Sequence, residues 1–157
     1  MDLIGKTTIH PLLFYTGKVA GYICWVILLT SIFNIYQIGQ APHRFIEVLS
    51  DVFASMGLVL VAISLFNLGS STRLGVPTEE TVLKTSGLYR FSRNPMYLGF
   101  NLWTISAILI TWNLYIGLMG IYSLIIYHFI ILGEERFLKT RFGKDYLDFV
   151  NKTRRYI

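Results

Sequence analysis

Charge is scarce in this sequence: only 15% of its 157 residues are Asp, Glu, Lys or Arg, where a soluble domain carries about 25%. Cysteine is scarcer still. Cys24 stands alone, which excludes an intrachain disulfide and a cysteine-built zinc site. Its apolar surroundings mark it as buried or lipid-facing. The histidines, His10, His43 and His128, fall in separate segments and form no H-E-x-x-H pattern, so no metal site is expected. No P-loop, G-x-G-x-x-G or G-x-S-x-G stretch occurs, which leaves nucleotide and nucleophilic hydrolysis without a signal. No repeat or low-complexity tract is present.

What is abundant is apolar. Hydrophobic residues make up 54% of the chain, and mean hydropathy is +0.54. The fold expected is an all-α integral membrane protein of about four transmembrane helices, one domain over residues 1–157. Uncharged or nearly uncharged runs place the spans at about 19–38, 46–68, 95–112 and 114–132. The first run is too long for a signal peptide and no A-x-A-like site follows it. Residues 1–17 read as an interfacial or loosely ordered N-terminus. Pro42 marks a turn over 40–44, and Gly75-Val76-Pro77 marks one within the polar connector 69–93. The Trp112-Asn113 turn makes the last two spans an antiparallel hairpin. Beyond residue 133, Leu138, Phe142, Tyr146 and Phe149 recur near helical spacing with a break at Gly143. That pattern predicts one or two amphipathic helices on the membrane surface.

The net charge of +5 is carried beside the hydrophobic runs, which fits anionic lipid headgroups and not nucleic acid. With four spans, 13 of the 14 Lys and Arg residues fall on one side and only Arg44 on the other. The positive-inside rule then makes both termini cytoplasmic, in the plasma membrane or the endoplasmic reticulum. Glu47 and Asp51 share a face near the start of the second span, where the helix dipole favours acids. A substrate or proton role for Asp51 is the alternative. Trp25, Trp103 and Trp112 suit helix packing or interfacial belts.

One polar stretch, 86–99, is basic and aromatic and lies between hydrophobic runs. Asn94 suits an N-cap whose side-chain oxygen takes a backbone N–H, and Pro95 suits the first helical position. Arg90 and Arg93 then stand just outside a helix start, a setting that favours an anion. A basic loop holding the membrane edge is the other reading. After the fourth span come Glu134 and Glu135, at what reads as a helix C-terminus, where the dipole opposes acids. Either Arg136 or a cationic ligand group offsets them. His128 precedes Glu135 by seven residues, hence shares its face, and is either a packing or a functional histidine.

The run Gly87-Leu88-Tyr89-Arg90-Phe91-Ser92-Arg93-Asn94-Pro95-Met96-Tyr97-Leu98-Gly99 resembles the G-x-Y-R-x-x-R-H-P-x-Y-x-G signature of membrane methyltransferases. These are the isoprenylcysteine carboxyl methyltransferases and related phospholipid methyltransferases. Glu134-Glu135-Arg136-Phe137-Leu138, Phe142-Gly143-Lys144-Asp145-Tyr146 and Arg154-Arg155-Tyr156-Ile157 are similar to that family's E-E-x-x-L, F-G-x-x-Y and terminal arginine patterns. The similarity covers about residues 68–157.

The resemblance implies an S-adenosylmethionine site built from the connector (86–99) and the tail (133–157). Gly87, Leu88, Tyr89, Arg93, Asn94, Pro95, Tyr97, Glu134 and Glu135 would bind the cofactor, and Arg93, Glu135 and His128 would serve catalysis. A carboxylate from the acidic pair would meet the cofactor ammonium, and Arg93 or the helix start its carboxylate. Asn94 stands where the family usually has histidine, so it can bind but cannot titrate. The implied partner is a lipophilic methyl acceptor arriving from the bilayer, an isoprenylcysteine carboxylate or a phospholipid amine. The alternatives are an NADPH-dependent sterol-type reductase and a non-enzymatic membrane protein that organises lipids or partners. Oligomeric state has no signal.

Overall fold

The computed structural model describes residues 7–40, 42–68 and 82–157. Among these it forms four α-helices and one 3-10 turn: α1 Pro11–Ile32, α2 Arg44–Leu68, the turn Gly87–Arg90, α3 Pro95–Thr111 and α4 Leu114–Lys152. Lys6, Arg73, Glu79, Glu80 and the Gly75-Val76-Pro77 turn lie outside the described residues. The expected all-helical class holds. By length and composition α1, α2 and α4 can cross a membrane; α3 has 17 residues and is shorter.

Two boundaries depart from expectation. The first helix runs Pro11–Ile32, not 19–38. Proline at its first position needs no N–H partner, so the helix starts there and takes Lys18 into its second turn. It ends because Asn34 adopts a left-handed backbone (φ 53°). The tail also differs: α4 continues past residue 133 and, across a kink at Gly143, reaches Lys152. Glu134 and Glu135 are therefore inside a helix, not at its end, and the expected clash with a helix dipole does not arise. At about 1.5 Å per residue, the apolar part of α4, 114–133, already matches a bilayer core of about 30 Å. Everything from Glu134 onward extends beyond it. Gly143 provides the expected break, with φ 51° and ψ −119°, a conformation that only glycine adopts cheaply.

Small residues bring the helices together. Gly57 of α2 and Gly99 of α3 meet so closely that a β-carbon on either would stand 2.8 Å from the other's carbonyl oxygen. Further along the same seam, buried Ser50 and Ser106 each donate to the other's carbonyl, at 3.0 and 2.8 Å. The other seam joins α1 to α4: Gly17 packs on Ile126, and the Ser123 hydroxyl donates to the Gly17 carbonyl at 3.0 Å. Where lipid is as apolar as leucine, close packing and buried hydrogen bonds of this kind hold helices together. Trp25 and Trp103 serve packing: their indole N–H groups donate to Thr104 Oγ1 at 3.0 Å and the Ala54 carbonyl at 2.9 Å. Cys24 is fully buried. The Trp112-Asn113 turn is as expected, with Trp112 left-handed and the Asn113 side chain accepting from the Tyr115 and Ile116 N–H groups.

Candidate functional site

The connector and the tail meet at one end of the bundle. The tail's apolar stripe does not lie open on a surface. Tyr146 and Phe149 are buried against Tyr89 of the 3-10 turn, with Leu138 and Phe142 packed alongside. This anchors the tail so that its last residues run beside Ser92 and Arg93. Ser92 and Arg154 form a parallel bridge, and the Arg93 N–H donates to the Arg154 carbonyl at 2.9 Å.

That backbone pairing aims three side chains at Glu135. Arg93 donates to Glu135 Oε1 from Nε at 3.1 Å and Nη2 at 2.9 Å, and from Nη1 to the Thr153 carbonyl at 2.6 Å. Arg155 grips Oε2 in the same two-pronged way, at 3.0 and 2.9 Å. Asn94 Nδ2 donates at 3.3 Å to both Glu135 Oε1 and the Arg155 carbonyl. Asn94 is at the N-cap as expected, but its side chain makes no cap hydrogen bond. Glu135 and Arg155 draw its amide away from the helix start. The Arg93 and Glu135 side chains are 9% and 12% exposed, whereas Arg155 is 37% exposed. Burial works to raise the Glu135 pKa, but the Arg155 and Arg93 hydrogen bonds outweigh it and hold the carboxyl below its usual range.

Glu134 has a different neighbourhood. Its Oε1 accepts from the Tyr97 hydroxyl at 2.7 Å. Burial outweighs that hydrogen bond and the charge of Lys18 of α1, so the Glu134 carboxyl lies above its usual range. The acidic pair is thus split: Glu135 is fully engaged by two guanidiniums, and Glu134 keeps an oxygen for another partner. His128 is tied to the tail, its Nδ1 standing 2.7 Å from the Tyr156 hydroxyl.

The structure brings Arg93, Asn94, Tyr97, Glu134 and Glu135 into one cluster. Tyr89 lies beside it within the aromatic anchor, and Gly87 takes the left-handed φ of 64° at the 3-10 turn, hard against Asn67. His128 joins Tyr156 and has no contact with Glu135. Three neighbours of this cluster were not expected as site residues: Arg155, Lys18 and Asn67. Arg155 had a signal, the paired arginines at the chain end. Lys18 and Asn67 had none, since neither lies in a motif. Among the described residues the buried Asn67 Nδ2 has no hydrogen-bond partner, and the Tyr146 hydroxyl faces Arg93.

A cavity of about 500 Å³ lies at the opposite end of the bundle, lined by Asn34, Gln37, Arg44, Glu47 and Asp51 among others. It contains none of the motif residues. No group of three or more metal-ligating side chains occurs among the described residues.

A family model described as phospholipid methyltransferase matches residues 45–145. The chain is similar to a protein-S-isoprenylcysteine O-methyltransferase of Schizosaccharomyces pombe, with 27% identity over 128 residues. That match covers 80% of this chain and 50% of the relative, so the chain spans about half the length of the curated relative it matches. No solved structure matches.

Proposed function

Because the chain belongs to the phospholipid methyltransferase family, we propose that it is a multi-pass membrane enzyme that methylates a lipophilic acceptor using S-adenosylmethionine. The observation that carries this reading is the split acidic pair: one carboxylate locks the connector to the tail, and the other stays open beside it. When bound, S-adenosylmethionine supplies an activated methyl group on a sulfonium, together with an ammonium and a carboxylate by which it can be held.

This chain's residues fit those groups. Glu134 takes the ammonium, with Tyr97 orienting its carboxylate from the far side. Arg93, committed to Glu135 and the Thr153 carbonyl, is a positioning residue. Arg155 is the guanidinium with exposure to spare for the cofactor carboxylate. The Asn67 amide, without a partner among the described residues, supplies a further polar contact at the same end. Gly87, Leu88, Tyr89 and Pro95 shape the backbone that brings these groups together. An acceptor carboxylate needs no general base, so positioning and exclusion of water supply the catalysis. An acceptor amine needs one, and His128, restrained by Tyr156, is the candidate imidazole.

Within this reading α3 spans the membrane along with α1, α2 and α4, the connector and tail face the cytoplasm, and the acceptor is an isoprenylcysteine carboxylate or a phospholipid amine. Glu134 also weighs against the reductase alternative, since a carboxylate at the mouth repels a dinucleotide's pyrophosphate. Calorimetric titration of the purified protein with S-adenosylmethionine tests the proposal. Binding is expected, with a loss of about tenfold or more in Glu134→Gln, the scale of one charge-assisted hydrogen bond. No binding by the unaltered chain would reject it. Methyl-labelled cofactor and a lipid extract then identify the acceptor from the labelled product.

A further inference from the structure

Lys18 is the one charged residue in α1, and α3 and the apolar part of α4 contain none. A lysine within a spanning helix is costly and by default marks a ligand path. Here it sits next to Gly17, whose contact with Ile126 turns this part of α1 toward α4. Its Nζ stands 4.2 Å from the centre of the Phe14 ring. Glu134 is within electrostatic reach, but its bonded oxygen is given to Tyr97. The ammonium has three donors, and the described residues give it no hydrogen-bond acceptor.

The surface leading from Lys18 deeper along α1 is aromatic. Tyr22, four residues on and 43% exposed, lies 5.2 Å from the Trp25 ring. Trp25 in turn lies 4.6 Å from the Phe100 ring of α3, tilted by 32°. A cation therefore stands at the head of an apolar, partly exposed strip, within electrostatic reach of the carboxylate assigned to the cofactor ammonium.

We propose that Lys18 is the specificity-determining anchor for the acceptor: it takes the anionic group of a lipid whose chain lies along Tyr22 and Trp25. The shared chemistry is an isoprenoid or acyl chain ending in a carboxylate or a phosphate. This inference rests on the methyl-transfer reading for its use, but lipid recognition by Lys18 is measurable without cofactor.

The test is equilibrium binding to the purified full chain, read by tryptophan fluorescence, with three probes of equal chain: N-acetyl-S-farnesylcysteine, farnesyl phosphate, and the neutral methyl ester of the first. At least one anionic probe is expected to bind about tenfold tighter than the ester, the effect of one charge-assisted contact. Which of the two does so separates a carboxylate source from a phosphate source. Lys18→Met should erase the preference, and Lys18→Arg should keep it. A thermal melt of Lys18→Met checks folding, and the neutral ester must still bind it.

No anionic preference in the unaltered chain, or a preference that survives Lys18→Met, overturns the proposal. So does a Lys18→Met variant that loses cofactor affinity while keeping the lipid preference, which would make Lys18 only the counterion of Glu134. If the unaltered chain binds anionic lipid through Lys18 but no S-adenosylmethionine, the anchor stands and the methyl-transfer reading fails.

Discussion

The two ends of the helix bundle are both polar, and they are built in opposite ways. At the end holding the connector and tail, hydrogen bonds join residues far apart in sequence: Arg93 to Glu135, Arg93 to Thr153, Ser92 to Arg155, Tyr97 to Glu134. At the other end, side-chain bonds among the described residues are local. Gln37 donates to Asn34 at 3.3 Å, and Arg44 to Glu47 at 3.1 Å, each three residues away. The first end is a clasp that fixes geometry between segments. The second is a solvated rim around a cavity. A membrane scaffold of this size can hold a small molecule in a defined pose only where its segments are cross-linked, which is why the proposed site belongs at the first end.

The sharpest way to break the contrast is Glu135→Ala. It leaves the guanidiniums of Arg93 and Arg155 facing each other without a counter-charge. Loss of one partner from a buried ion pair costs about 3–5 kcal/mol, and the partial exposure of Arg155 puts the expected loss toward the lower figure. Thermal denaturation in detergent measures it; a melting temperature unchanged from that of the unaltered chain would show that the clasp is ornamental. Acid probes the same group without mutation. Because the folded-state pKa of Glu135 lies below its unfolded value, its stabilisation is complete above the unfolded pKa of about 4.3. It is lost as pH falls through the lower folded value. Melting curves from pH 6 down to 3 should show that step in the unaltered chain and a shallower one in Glu135→Gln.

Asn94→Ala removes two long hydrogen bonds from the clasp and should cost about 1 kcal/mol. Asn94→His, the residue the family usually has there, should recover part of it, since one ring N–H can reach the same oxygens. The smallest effect belongs to the far end. Arg44 is 83% exposed in its pair with Glu47, so Glu47→Ala should change stability by less than about 0.5 kcal/mol. A larger loss there would erase the distinction between the two ends.

Much of this was legible in the chain. Helices α2 and α3 match the expected runs within a few residues, and α4 starts where expected, because a long uncharged stretch has few alternatives to a helix. The proline at the start of α3 and the glycine break in α4 followed from backbone sterics alone. The spacing of Leu138, Phe142, Tyr146 and Phe149 foretold a one-sided apolar face. What covers that face was not foretold: it packs on Tyr89, where a membrane surface had been expected. Hydropathy treats lipid and protein interior as the same solvent, so it cannot separate the two.

The sequence by itself determined that this chain is helical, where most of its helices lie, and that its two motif segments belong to a methyltransferase family. Local sterics and apolar run length are written in neighbouring residues. The tertiary structure decided which of two adjacent glutamates is consumed and which is left open, and that Lys18 of α1 comes within electrostatic reach of the open one. Adjacent residues on a helix point about 100° apart, so Glu134 and Glu135 meet different neighbours, and only the packing of four segments from across the chain supplies those neighbours.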